Sequence, residues 1–278
     1  MSNKGFLILA QNNESIDYVR QAYALALSIA KTQSIYKKVS VLTNDPVPEE
    51  YKHAFDQIIP IPWSDGESSR YVADNRWKFI YASPYDETIV LDSDMLFFED
   101  ISSVWDHLDQ YELFFASKVL NFKNKIINDV YNRQTFIKNT LPNIYFALHY
   151  FKKTEFSFRF YKTLELVVRN WKSFYSTVTP KNTQPWVSMD VSSAIAIKLL
   201  DIEAQVTNPN LNFTFVHMKP NIQDWDTIPA RWTNFADFYI TDDFKLFVNQ
   251  YKQSKLFHYT ENEFLVDDVI KILEEKNV

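Results

Sequence analysis

The chain alternates between short apolar runs and longer stretches with helical spacing. Phe6-Leu7-Ile8-Leu9-Ala10, Val39-Ser40-Val41-Leu42, Thr88-Ile89-Val90-Leu91, Leu113-Phe114-Phe115-Ala116 and the run at 144–151 carry apolar residues with little polar alternation. That pattern predicts strands covered on both faces, as in a parallel sheet lined by helices. Between the first two runs, Ile16, Val19, Tyr23, Ala26, Leu27 and Ala30 form one stripe, predicting a helix from a Ser15 cap to about residue 32. A right-handed β-α-β unit follows. A shorter strand at 58–61 carries Pro60 and reads as an edge. Further along come a polar loop at 64–69, a helix at 72–82 stopped by Pro84, and a helix bearing Ile101, Val104, Trp105 and Leu108, capped by Asp100 or Ser102. A polar excursion at 117–141 contains a short helix near 126–138. Helices at 155–171, 190–200 and 263–275 and strands at 213–216 and 255–257 complete the pattern. The prediction is one α/β domain over 1–278 with a mixed, mostly parallel, Rossmann-like central sheet and helical additions in its second half.

Composition narrows the chemistry. The 278 residues are 46% hydrophobic, enough for a sizeable core. A net charge of −6 argues against nucleic acid as a partner. The lack of cysteine excludes disulfides, zinc-thiolate centres and thiol nucleophiles. Gly5 and Gly66 are the two glycines, so glycine-rich phosphate loops are excluded and a bound phosphate must be held by metal and side chains. Aromatics reach 17%, enough to fill a core and still offer faces to sugar rings or bases; Trp186, Trp225 and Trp232 read as core or as acceptor-stacking residues. No apolar run approaches the roughly 20 residues that span a bilayer, and the start reads as a strand rather than a leader. The expectation is a cytoplasmic protein with no transmembrane anchor.

Candidate chemistry centres on Asp92-Ser93-Asp94, which follows the buried run Thr88–Leu91 and precedes Met95-Leu96-Phe97-Phe98. Carboxylates at i and i+2 on a strand leave the same face. At the carboxyl end of a parallel strand they enter the crevice where open α/β sheets bind ligands. Two carboxylates so close repel unless a cation sits between them, and hard oxygen donors suit a divalent ion.

The arrangement resembles the GT-A fold glycosyltransferases, and within them family 8, the glycogenin and bacterial galactosyltransferase type. The resemblance is carried by Ala10-Gln11-Asn12 before a helix, Asn75-Arg76-Trp77-Lys78-Phe79, and Tyr85-Asp86-Glu87-Thr88-Ile89-Val90-Leu91-Asp92-Ser93-Asp94. Ser188-Met189-Asp190-Val191 and Leu256-Phe257-His258-Tyr259-Thr260 extend it. The sequence departs from the family after His258, where Glu261-Asn262-Glu263 replaces a glycine and Lys-Pro-Trp. It departs again at Phe146-Ala147, where the family has Ser-Gly.

The resemblance implies a GT-A-like domain with a nucleotide-sugar-binding half at 1–116 and an acceptor-side half at 117–278. It implies Mn²⁺ or Mg²⁺ on Asp92 and Asp94, with His258 completing the shell; His217, followed by Lys219-Pro220, is the rival. Mixed carboxylate and imidazole ligation favours Mn²⁺. Gln11, Asn12, Asn44, Asp45, Arg76, Lys78, Ser93, His217 and Lys219 are expected around the donor, and Asp190 at the transferred sugar's hydroxyls. His53, His107 and His149 read as structural. The implied reaction moves a hexose from a nucleotide diphosphate sugar, a UDP-sugar in most of the family, to a saccharide or other hydroxyl acceptor with retention. Alternatives are an Asp-x-Asp phosphohydrolase, a sugar nucleotidyltransferase, and a non-catalytic saccharide-binding or structural shell.

Overall fold

The structure, a computed structural model, describes residues 3–63, 72–127, 133–178 and 186–275. The predicted loop at 64–69 and residues 128–132 of the predicted helix at 126–138 lie outside that set. Strand β1 (Lys4–Leu9) leads through α1 (Tyr18–Thr32) to β2 (Val39–Leu42), and the two strands pair in parallel. β3 (Gln57–Ile59) adds to β2 in parallel. A 3-10 turn (Val72–Lys78) passes into α2 (Phe79–Ala82) and then β4 (Glu87–Leu91), which lies parallel to β1 on its other side. Next come β5 (Met95–Phe97), α3 (Ser102–Leu108), β6 (Leu113–Ala116), β7 (Val119–Leu120), β8 (Ile126–Ile127), α4 (Gln134–Asn139) and β9 (Tyr145–Lys152). The second half holds α5 (Glu155–Arg169), α6 (Trp171–Val178), α7 (Met189–Leu200), α8 (Glu203–Val206) and β10 (Phe215–His217). It closes with β11 (Phe238–Ile240), β12 (Leu246–Val248), β13 (Tyr251–Gln253), β14 (Leu256–His258) and α9 (Asp267–Glu274).

The central sheet has the order β3-β2-β1-β4-β9-β6, with β9 antiparallel to both neighbours. This is the mixed, mostly parallel sheet predicted from the apolar runs. Period-2 alternation divides them between two cores: Leu7, Leu9 and Val90 enter one, while Phe6, Ile8, Ile89 and Leu91 enter the other. A second sheet, β5-β14-β10-β7-β8, carries the chain from the end of β4 towards the C-terminal third. β14 runs parallel to β10 and antiparallel to β5, with His258 opposite Met95.

Several boundaries differ from the sequence reading. The α1 cap is Asp17, whose carboxylate accepts from the Arg20 amide, while Ser15 is bonded into a turn on Asn13. The stretch predicted as a helix at 72–82 is mostly a tight 3-10 turn. The helix predicted at 155–171 breaks at Asn170, and α6 starts afresh at Trp171. Ile126–Ile127 is a strand paired with β7, not the start of a helix. Residues 262–275 divide into a 3-10 turn and α9. The β11-β12-β13 sheet went unpredicted. No helix among the described residues is long and apolar enough to cross a membrane.

Candidate metal and donor site

Asp92 and Asp94 follow the last residue of β4 in the tight link to β5. Their common orientation therefore comes from a turn, not from the strand alternation expected for i and i+2. The turn is fixed at both ends. The Asp92 amide donates to the Ala147 carbonyl of β9, and the Asp94 carbonyl accepts from the Tyr259 amide just past β14. Between them the Ser93 hydroxyl is buried and donates to Gln21 of α1.

The result is a cluster in which Asp92, Asp94 and His258 each offer a ligand atom within 4.8 Å of the others. His258 Nε2 lies 3.0 Å from an Asp94 carboxylate oxygen. Arg76, reaching over from the 3-10 turn, contacts an Asp92 oxygen at 2.7 Å. Burial pushes the Asp94 carboxyl up. The opposing charge and hydrogen bond of His258, with Arg76 behind them, outweigh burial and hold it below the usual carboxylate range. Two carboxylates and an imidazole, partly buried and converging, are a donor set that fits a divalent ion such as Mn²⁺. Buried atoms without a hydrogen-bond partner concentrate here too: Arg76 Nε, His217 Nδ1 and His258 Nδ1.

His217 does not join the ligand cluster. It stacks on His258 with ring centroids 4.8 Å apart and planes 28° from parallel. Burial drives it well below the ordinary imidazole range, and the charges of His258, Lys219 and Arg133 act in the same direction, so it is neutral. Tyr145 meets its edge at 6.3 Å. The Arg133 guanidinium lies 3.6 Å from the Tyr145 ring centroid, donates to the Ile144 carbonyl at 3.0 Å, and donates to Asp190 at 2.8 Å. The other Asp190 oxygen accepts from the Phe146 amide at 2.8 Å. The contacts thus close a ring: Asp94, His258, His217, Tyr145, Arg133, Asp190, then β9 back to Asp92. Asp190 sits in the first turn of α7, which Ser188 caps, so its carboxylate is free to make these bonds.

The remaining candidates are distributed around that ring. Gln11 accepts from the Asn75 side chain at 2.9 Å. Asn12 accepts from the Val19 amide at the start of α1, and its own amide donates to Asp45. The Asn44 side chain accepts from the Ile61 amide. These bonds order the loops after β1 and β2, a structural task shared by Asn12, Asn44 and Asp45. Lys78 is buried, with its ammonium 5.7 Å from the Trp77 ring centroid. Lys219 is exposed just beyond β10. Among the three histidines read as structural, His149 is buried, while His53 and His107 are exposed.

Two residues of the site were missed. Arg133 lies in an Asn- and Lys-rich stretch where an arginine reads as a solvated charge. Tyr18 opens α1. Burial raises its phenol's pKa, and the charges of Asp94 and Asp92 add to that against Arg76. The available signal for Tyr18 was positional: the loop after the first parallel strand faces the crevice.

No family model and no curated protein sequence matches the chain. Among solved structures it is similar to the glycosyltransferase GlyE of Streptococcus pneumoniae TIGR4, at 13% identity over 76% of this chain and TM-score 0.43. The chain spans 46% of GlyE's length. It is also similar to the galactosyltransferase LgtC in complex with donor and acceptor sugar analogs, at 13% identity over 69% of this chain and 70% of that one, TM-score 0.46. Mouse xyloside xylosyltransferase 1 is similar at 10% identity over 74% of this chain and 84% of that one, TM-score 0.46. All three neighbours are glycosyltransferases.

Proposed function

We propose that the chain is a metal-dependent glycosyltransferase that moves a hexose from a nucleotide diphosphate sugar, a UDP-sugar by the family resemblance, to a hydroxyl acceptor with retention. The observation that carries this reading is the convergence of Asp92, Asp94 and His258 at the carboxyl end of β4. Mn²⁺ or Mg²⁺ held there supplies Lewis-acid charge neutralisation for a diphosphate. Arg76 brings a fixed positive charge to the same spot and suits a phosphate oxygen or a sugar hydroxyl. The neutral imidazole of His217, at the end of β10, and the Lys219 side chain just beyond it would hydrogen-bond the donor. Asp190 retains lone pairs beyond those given to Arg133 and Phe146, and its side chain is 31% exposed, so it can accept a hydroxyl of the transferred sugar. The loop residues Gln11, Asn12, Asn44 and Asp45 lie beyond β1 and β2, where a base and ribose would rest.

Thermal-shift titration with UDP-, GDP-, CMP- and TDP-sugars, each with and without Mn²⁺, tests the reading. A metal-dependent rise is expected for one nucleotide, amounting to about 2.7 kcal/mol at a hundredfold excess over Kd. Asp94→Ala is expected to abolish the metal-dependent rise and to lower donor hydrolysis at least about a hundredfold. Unchanged metal binding and hydrolysis in that variant would favour the non-catalytic shell.

A further inference from the structure

We propose that Trp63, Trp77, Tyr81 and Phe158 form a saccharide-stacking platform. It would bind a carbohydrate chain at a point remote from the hydroxyl that is modified. The role of that chain as acceptor rests on the transferase reading; its binding does not.

Trp63 lies on Trp77 with ring centroids 5.8 Å apart and planes 8° from parallel. One indole face is thus covered, yet Trp63 remains 66% exposed, so the other face looks into solvent. Tyr81 stands edge-on to Trp63 and Trp77 at 5.1 and 6.2 Å and bridges to Phe158 at 5.7 Å. Tyr81 and Phe158 are also exposed. Trp63 has a φ of 51°, a backbone region that bulky side chains avoid. Its exposure therefore comes with local strain and leaves most of the indole in solvent, a combination more common at ligand clamps than on inert surface.

The rim identifies the occupant. On α5, Phe158, Lys162, Glu165 and Arg169 recur at spacings of about three to four residues and share one face. Arg169 donates to Glu165 at 2.7 Å, and its guanidinium lies 5.2 Å from the Trp77 ring centroid. A flat open π face edged by planar groups of both signs matches a pyranose ring. The C–H face of such a ring carries partial positive charge that meets the negative aromatic face, and its equatorial hydroxyls bond guanidinium and carboxylate. A nucleic acid strand would need a basic groove, and the net charge of −6 opposes one. The platform shares one turn with the candidate metal site. Arg76 contacts Asp92, and its chain neighbour Trp77 is the platform's base, so one 3-10 turn serves both.

The test titrates the whole protein, without metal or donor, with maltohexaose, cellohexaose and chitohexaose, followed by calorimetry and tryptophan emission. At least one oligosaccharide is expected to bind. Trp63→Ala should weaken it roughly fivefold to tenfold, the value of one aromatic contact, while Trp63→Phe retains most of it. Mn²⁺-dependent donor hydrolysis should be unaltered in Trp63→Ala. Trp63-dependent glycan binding without any donor turnover would keep the platform and remove the transferase reading. Failure of all three oligosaccharides to bind, equal binding by Trp63→Ala, or a Trp63-dependent dimer in sedimentation in place of glycan binding overturns the platform.

Discussion

His149 shows how much a single buried side chain can set. Its Nδ1 faces the Phe146 carbonyl at 2.8 Å, its Nε2 meets the Tyr161 hydroxyl at 2.7 Å, and Phe115 stacks on its ring. Burial above all lowers its pKa to about 3. In the unfolded chain the same group titrates near 6.5. Above that pH both states are neutral. As pH falls below it the unfolded chain takes up a proton that the folded one refuses, so stability is lost towards pH 3 at up to about 1.4 kcal/mol per pH unit. His149→Gln is expected to flatten the dependence of urea-unfolding stability between pH 6 and 4 by that amount. An unaltered slope would mean that His149 protonates inside the fold. At this scale the sequence was partly readable. Asp92 and Asp94 were visible because a carboxylate pair after a buried run has few other uses. Arg133 was invisible because only tertiary contacts with Tyr145 and Asp190 distinguish it from a solvated charge.

Among the elements, length decides what a pattern can reveal. β1, β4 and β9 were legible because unbroken apolar runs of four to eight residues, too short for a core helix and bounded by turn residues, fit a covered strand. β11, β12 and β13 have three residues each, too short to establish a period, and are defined by their pairing with one another. The placement of β1 also depends on a contact that no pattern announces. A Cβ on Gly5 would lie 2.5 Å from ring atoms of Tyr85. Tyr85 cannot swing aside, because its hydroxyl is bonded to Ser40 at 2.7 Å and to Asp56 at 3.2 Å. Gly5→Ala is therefore expected to cost about 1–3 kcal/mol in chemical denaturation. Adding Tyr85→Leu should cost less than the two single changes summed, since the smaller ring-free side chain removes the clash. Strict additivity would remove Tyr85 as the reason for this glycine.

The molecule as a whole brings its candidate metal ligands together from widely separated parts of the chain. Asp92 and Asp94 come from the β4–β5 link, and His258 ends β14, which lies between β5 and β10 in the second sheet. Neither sheet alone carries the cluster, so metal affinity should vanish in the same transition as secondary structure. Urea titrations followed by far-ultraviolet and aromatic circular dichroism, with and without Mn²⁺, are expected to coincide and to shift together. An Mn²⁺-sensitive phase separate from global unfolding would place the ion elsewhere. The late position of β14 also has a temporal consequence. A ribosome releases the acidic pair long before it releases the imidazole. A nascent chain therefore passes through most of its synthesis with two of the three candidate ligands, and the third arrives only when the strand bearing His258 slots in beside the others.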